Sequence, residues 1–146
     1  MKLPFFDDFS TARVYPNDSL WLDKYVYINN SFGKQPPSIG VASFDGLNAS
    51  GHAYKPNAPV GESAACDTFT SSYIDLSPYQ EKDSVYLSFY YQAGGYGENP
   101  EYLDSRDSLI LEFRADSVTG SAGWQDNTWV PVWPARGTVL HLPFRQ

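Results

Sequence analysis

The side chains best suited to chemistry here are carboxylates. Asp7 and Asp8 are adjacent, Asp104 and Asp107 border a loop that also carries Glu98 and Glu101, and Glu112 stands alone between Leu111 and Phe113. Hard oxygen donors of this kind suit calcium, which takes several carboxylate and carbonyl ligands. Asp7, Asp8, Asp104, Asp107 and Glu112 are therefore candidate calcium ligands, and the same acids would equally serve as a solvated loop rim. Glycoside hydrolysis needs two carboxyl groups ~5–9.5 Å apart. A β-scaffold delivers such a pair from alternate positions of one strand, and no acid-x-acid-x-acid run exists.

Other catalytic constellations are missing from the pattern. There is no Gly-x-Ser-x-Gly elbow for an activated serine. His52 and His141 are far apart and lack zinc-ligand spacing. Cys66 is the one cysteine, flanked by Ala65 and Asp67 with no basic residue beside it to activate the thiol, and no internal disulfide is possible. The expectation is a protein without enzymatic activity. Exposed rings are the alternative chemistry: Tyr90, Tyr96, Tyr102, Trp124 and Trp133 could stack on sugar faces as a carbohydrate-binding module does.

These residues must be positioned by strands. The chain has 146 residues, 42% hydrophobic and 16% aromatic, which suffices for one domain with a core. Ser84–Tyr91 is rich in β-branched and aromatic residues and alternates Val85, Leu87, Phe89 and Tyr91 with Tyr86, Ser88 and Tyr90. A Gly-Gly break and the acidic loop separate it from Leu109–Phe113, which predicts a central antiparallel pair with the loop at one rim. Further extended pieces are expected at Phe5–Phe9, Trp21–Ile28, Ile39–Gly46, Ala65–Thr70, Tyr73–Leu76, Trp129–Trp133 and Val139–Leu142. Asp45-Gly46 marks a turn, Ser77–Gln80 could start one helical turn, and Pro131 marks an edge strand or a bulge. Many short strands with long irregular loops predict an all-β antiparallel sandwich or jelly roll, a single domain over residues 1–146.

The net charge of −7 disfavours nucleic acid and anionic membrane surfaces. No stretch approaches the ~20 apolar residues of a membrane span, and no signal-peptide pattern opens the sequence.

The order of these features resembles a known group. It runs Phe5-Phe6-Asp7-Asp8-Phe9, Trp21, Gly40–Gly46, Ile74-Asp75-Leu76-Ser77, Leu87–Gln92 with its Gly-Gly, Asp107–Phe113, and Trp129–Trp133. This is similar to the N-terminal region of large secreted or surface proteins of gliding-type bacteria that use type IX secretion. It also looks like the MAM and concanavalin A-like jelly rolls, although the MAM cysteines are absent. The resemblance implies a non-catalytic secreted or cell-surface module for adhesion, assembly or protein–protein interaction, with a carbohydrate-binding module or a concanavalin A-like glycoside hydrolase as alternatives. It implies a fragment lacking C-terminal strands, whose open sheet edge is covered by the rest of the polypeptide or another chain. In the bacterial group Asp-Ser-apolar is an O-glycosylation acceptor pattern, which makes Ser19 and Ser117 candidate acceptors.

Overall fold

A computed structural model describes residues 1–10, 14–48, 50–59, 62, 64–96, 108–116 and 127–136. The chain divides into two compact units, Met1–Asn99 with Pro143–Gln146, and Pro100–Leu142. Among the described residues there are two small antiparallel sheets, and helix is limited to the 3₁₀ turn Glu81–Asp83. This is an all-β pattern.

In the first unit β1 (Tyr27–Asn29) pairs with β2 (Val41–Ser43), Tyr27 opposite Ser43 and Asn29 opposite Val41. Val26, Ile28 and Ser43 are buried here. Ser43 is polar, and its burial is compensated because Asn29 Nδ2 donates to its Oγ at 2.7 Å. Val14 adds a rung, its carbonyl accepting from Ile28 N–H at 2.6 Å. The sequence favours longer strands on either side, but the ladder stops after three residues in each. Asn29 Oδ1 accepts from Ser31 and Phe32 N–H, which turns the chain immediately after β1. Asp45 Oδ1 accepts from Leu47 N–H and Gly46 has φ +69°, so the expected Asp-Gly turn closes β2.

Phe5–Phe9 is not a ladder strand. It supplies rings to an aromatic cluster centred on Trp21. Trp21 stacks on Phe69 with centroids 3.6 Å apart, meets Phe5 edge-on at 5.3 Å, and lies 6.2 Å from Phe9. Trp21 reaches Phe69 because it bridges Ser71 in antiparallel fashion, with Leu22 N–H donating to Thr70 and Ser72 N–H to Leu20.

In the second unit β3 (Ser108–Phe113) pairs with β4 (Val130–Arg136). Leu109 faces Ala135, Ile110 faces Pro134 and Leu111 faces Trp133. The register then shifts, so that Glu112 faces Pro131 and Val132 is the extra residue of a bulge. Leu109, Leu111, Trp133 and Ala135 form the less exposed face, with Ala135 buried. Ile110 and Val132 lie outward at 51% and 41% exposure. Pro131 therefore sits in a bulged strand, as its missing N–H requires. Ala115 O accepts from Asn127 N–H at 2.7 Å, and the Arg114 guanidinium lies 4.9 Å over the Trp129 ring, beyond the ends of the two strands.

The expected central pair is not observed. Among the described residues β3 takes its ladder from β4, and Ser84–Tyr90 lies outside any ladder, with a single bridge position at Tyr91. Ala65–Thr70 and Tyr73–Leu76 likewise form no strand, and the helical turn falls just after Ser77–Gln80. The expected strand at 139–142 lies outside the described residues.

Candidate functional site

An open groove of the first unit lies beside Ser84–Tyr86. Its construction begins at Asp75, whose N–H donates to Met1 O at 2.7 Å while the Met1 amine donates to Tyr73 O. This pairing lays Leu3-Pro4-Phe5 alongside the 73–79 segment. Asp75 Oδ1 then accepts from Ser77 Oγ at 2.6 Å and Ser77 N–H at 3.0 Å, starting the turn that carries Pro78 and Tyr79. Those two bonds hold the Asp75 carboxyl below its usual range, the serine hydroxyl contributing most.

The opposite wall is set by the 3₁₀ turn. Gln80 N–H donates to Asp83 Oδ2 at 2.7 Å and Asp83 N–H returns to Gln80 O at 2.9 Å. Ser84 then adopts a left-handed conformation, φ 51°, which redirects the chain into Val85-Tyr86-Leu87. The result is an open groove of about 670 Å³ lined by Leu3, Pro4, Phe5, Pro78, Tyr79, Asp83 and Ser84–Tyr86. A second hollow of about 420 Å³, bordered by Leu76 and Gln80–Glu81, shares Tyr79 and Ser84–Tyr86 with it.

The rings and aliphatic groups here face solvent. Tyr86 is 87% exposed, with Val85 at 44%, Leu87 at 52% and Leu76 at 50%. The alternation read from the sequence survives only at the end of the stretch, where Phe89 and Tyr91 are half-buried around an exposed Tyr90. Val85 and Leu87 should be inside by pattern and are not. Sequence reasoning missed Leu3, Pro4, Pro78, Tyr79 and Tyr86 as lining residues. The available signal was weak, two prolines and two tyrosines brought together by non-local pairing.

The candidate metal ligands have separate fates. Asp7 is committed to structure, with Oδ1 accepting from Phe9 N–H at 2.8 Å and Oδ2 from Trp21 Nε1 at 2.7 Å. Asp8 Oδ1 accepts from Ser10 N–H at 3.0 Å, and hydrogen bonds from the Ser10 hydroxyl and amide hold its carboxyl below the usual range. Glu112 is exposed on β3. Asp104 and Asp107 lie outside the described residues, and among those that are described no three His, Cys, Asp or Glu side chains are placed to share a metal ion.

Of the candidate sugar platforms, Tyr90 and Tyr96 are 51% and 58% exposed. Trp133 is half-buried on the inner face of β4, opposite Leu111. Tyr102 and Trp124 are outside the described residues. Ser19 is exposed on a turn in which its N–H donates to Asn17 Oδ1 and Leu20 N–H to Asn17 O. Ser117 is outside the described residues.

Two further carboxylates tie distant segments together. Asp67 accepts from Gly46 N–H at 2.8 Å and from Tyr54 Oη at 2.9 Å. Desolvation and the Asp67 hydrogen bond push the Tyr54 phenol up to about 12. Asp23 Oδ2 accepts from Thr70 N–H at 2.9 Å, while its buried Oδ1 has no hydrogen-bond partner among the described residues. Cys66 is exposed, with its thiol 3.6 Å from Ala64 O.

Set against protein-family models, curated proteins and solved structures, the chain matches none. Among the described residues no helix is long and apolar enough to cross a membrane.

Proposed function

We propose that this chain is a non-catalytic β-module of jelly-roll type, belonging to a secreted or cell-surface protein, and that it works in adhesion or assembly by docking other protein on the Leu76–Tyr90 surface. The observation that carries this is the outward display of Val85, Tyr86 and Leu87 beside an open aromatic and proline-lined groove. Clustered apolar side chains of this kind mark association surfaces. The groove's acid, Asp83, is already engaged by Gln80 N–H, and a hydrogen-bonded carboxylate on a turn supports a structural role over a general base.

Tyrosine footprinting tests the proposal. Tyr86 is acetylated or nitrated readily in the isolated chain and protected in the intact assembly purified from its source cells. Equal labelling of Tyr86 in both overturns it. The same reading makes Ser19 the described acceptor for O-glycosylation.

Tyr90 and Tyr96 support a second reading, a carbohydrate-binding module, because both rings are more than half exposed. It requires calorimetric heat with soluble glycans that Tyr96→Ala abolishes. A blank response across a broad glycan array removes it.

A further inference from the structure

The two hollows beside Ser84–Tyr86 share one chemistry. Rings from Phe5, Tyr79 and Tyr86 and the prolines Pro4 and Pro78 line the larger. Tyr79 and Tyr86 also line the smaller, so the hollows adjoin at these rings. Both tyrosines are exposed. The charged side chains among the described lining residues are Asp83 in the larger hollow and Glu81 in the smaller, both acids. Lys82, between them in the chain, lines neither.

These walls are built by the chain's own hydrogen bonds. Asp75 N–H on Met1 O sets Pro4 and Phe5 beside the segment that carries Pro78 and Tyr79. Gln80 N–H on Asp83 Oδ2 fixes the acid. That bond takes one of the roughly four acceptor positions of a carboxylate, so Asp83 keeps capacity for a cationic donor.

A preformed groove of rings, prolines and acids matches one kind of partner. A polyproline II segment is stiff before it binds, so little entropy is lost on docking, and aromatic-lined grooves are the surfaces that take it. Its helix has three residues per turn, which lets successive turns enter adjoining hollows. Its carbonyls carry no internal hydrogen bonds, and the Tyr79 and Tyr86 hydroxyls are donors suited to them. The two acids call for a positive charge beside the prolines. Arginine answers better than lysine, because its planar guanidinium pairs with a carboxylate and stacks on a tyrosine ring.

We propose that the partner docked here presents a proline-rich segment in polyproline II form with an arginine next to the prolines. This rests on the reading of the Leu76–Tyr90 surface as a docking site and adds the partner's chemistry.

The test is fluorescence anisotropy on the full chain, with a labelled proline-rich peptide that carries one arginine. Wild type binds it saturably. Tyr86→Ala removes a ring anchor that is largely exposed, and weakens binding by about tenfold. Asp83→Asn keeps an oxygen for Gln80 N–H and removes the charge. It weakens binding by about two- to fivefold, the worth of an exposed ion pair, and high salt has the same effect on wild type. A peptide with its prolines changed to alanine, and one with its arginine changed to glutamate, both bind more weakly than the parent.

Absence of saturable binding overturns the proposal. So does binding that survives Tyr86→Ala, or equal binding of the alanine or glutamate peptide. Tyr86 protection in the intact assembly separates the two readings. Protection without peptide binding keeps the docking surface and removes the polyproline partner, whereas loss of protection removes the docking surface itself.

Discussion

Trp21 Nε1 donates to Asp7 Oδ2 at 2.7 Å, and this bond turns an apparent metal ligand into an anchor for the aromatic cluster. The second Asp7 oxygen is held by Phe9 N–H, so one carboxylate fixes both the indole and the backbone that carries Phe9. Asp7→Ala is expected to cost about 1.5–3 kcal/mol in urea unfolding, the worth of hydrogen bonds to a charged group, and to shift tryptophan emission. With both oxygens engaged, Asp7 is therefore expected to contribute nothing to any effect of calcium on the melting temperature. A calcium-dependent rise that Asp7→Ala abolishes would refute this.

Tyr54 makes an alkaline signature. Its folded pKa is raised to about 12 from 10.0, so the folded state holds its proton more tightly than the unfolded one. The stability linked to that proton is complete below the unfolded pKa and is lost as pH climbs through the folded value. Absorbance titration at the phenolate band should show one tyrosine ionising last, near pH 12. Tyr54→Phe should remove that late step. Persistence of the late step in Tyr54→Phe would assign it elsewhere.

Glycines at two positions should respond for opposite reasons. A methyl group at Gly95 would meet the Phe32 carbonyl oxygen at 2.3 Å and its ring at 2.7 Å. Gly95→Ala must displace that backbone and is expected to cost about 1–3 kcal/mol, as overpacking does. At Gly46 a methyl group meets nothing within 4 Å, but φ is +69°. Gly46→Ala pays only for left-handed backbone, about 1–2 kcal/mol. Replacing Gly46 by Asn, which tolerates that conformation, should recover most of the loss, whereas Gly95→Asn should be worse than Gly95→Ala. Denaturant midpoints of the four variants decide it.

What the sequence disclosed was local. The turn at Asp45-Gly46, the strand at Leu109–Phe113 and the bulged, proline-bearing strand at Trp129–Trp133 each have a cause within a few residues. Pairing partners were not legible, because strand propensity reports how well a side chain suits a pleated surface and not which strand lies beside it. Ser84–Tyr91 has the composition of a central strand, yet Val85, Tyr86 and Leu87 face solvent. The left-handed Ser84 sets its path, and serine gives no advance sign of that conformation. The groove was invisible for a related reason. Pro4 and Pro78 are brought together by Asp75 N–H reaching Met1 O, a contact spanning most of the first unit. The role of Asp7 was hidden as well, since its partner Trp21 is fourteen residues away.

Asp67 also closes a ring of chain. By holding Gly46 N–H with one oxygen and Tyr54 Oη with the other, it clamps both feet of the segment between them. Inside that clamp Leu47 bridges Ala53, and Asn48 caps the tip by accepting from Ser50 and His52. Length added at the exposed Ser50–Gly51 step separates Gly51 and His52 from Asn48 but leaves the two Asp67 bonds at the feet in place. That step is a natural point of entry for an epitope or reporter peptide, carried by the chain without passing strain to either sheet.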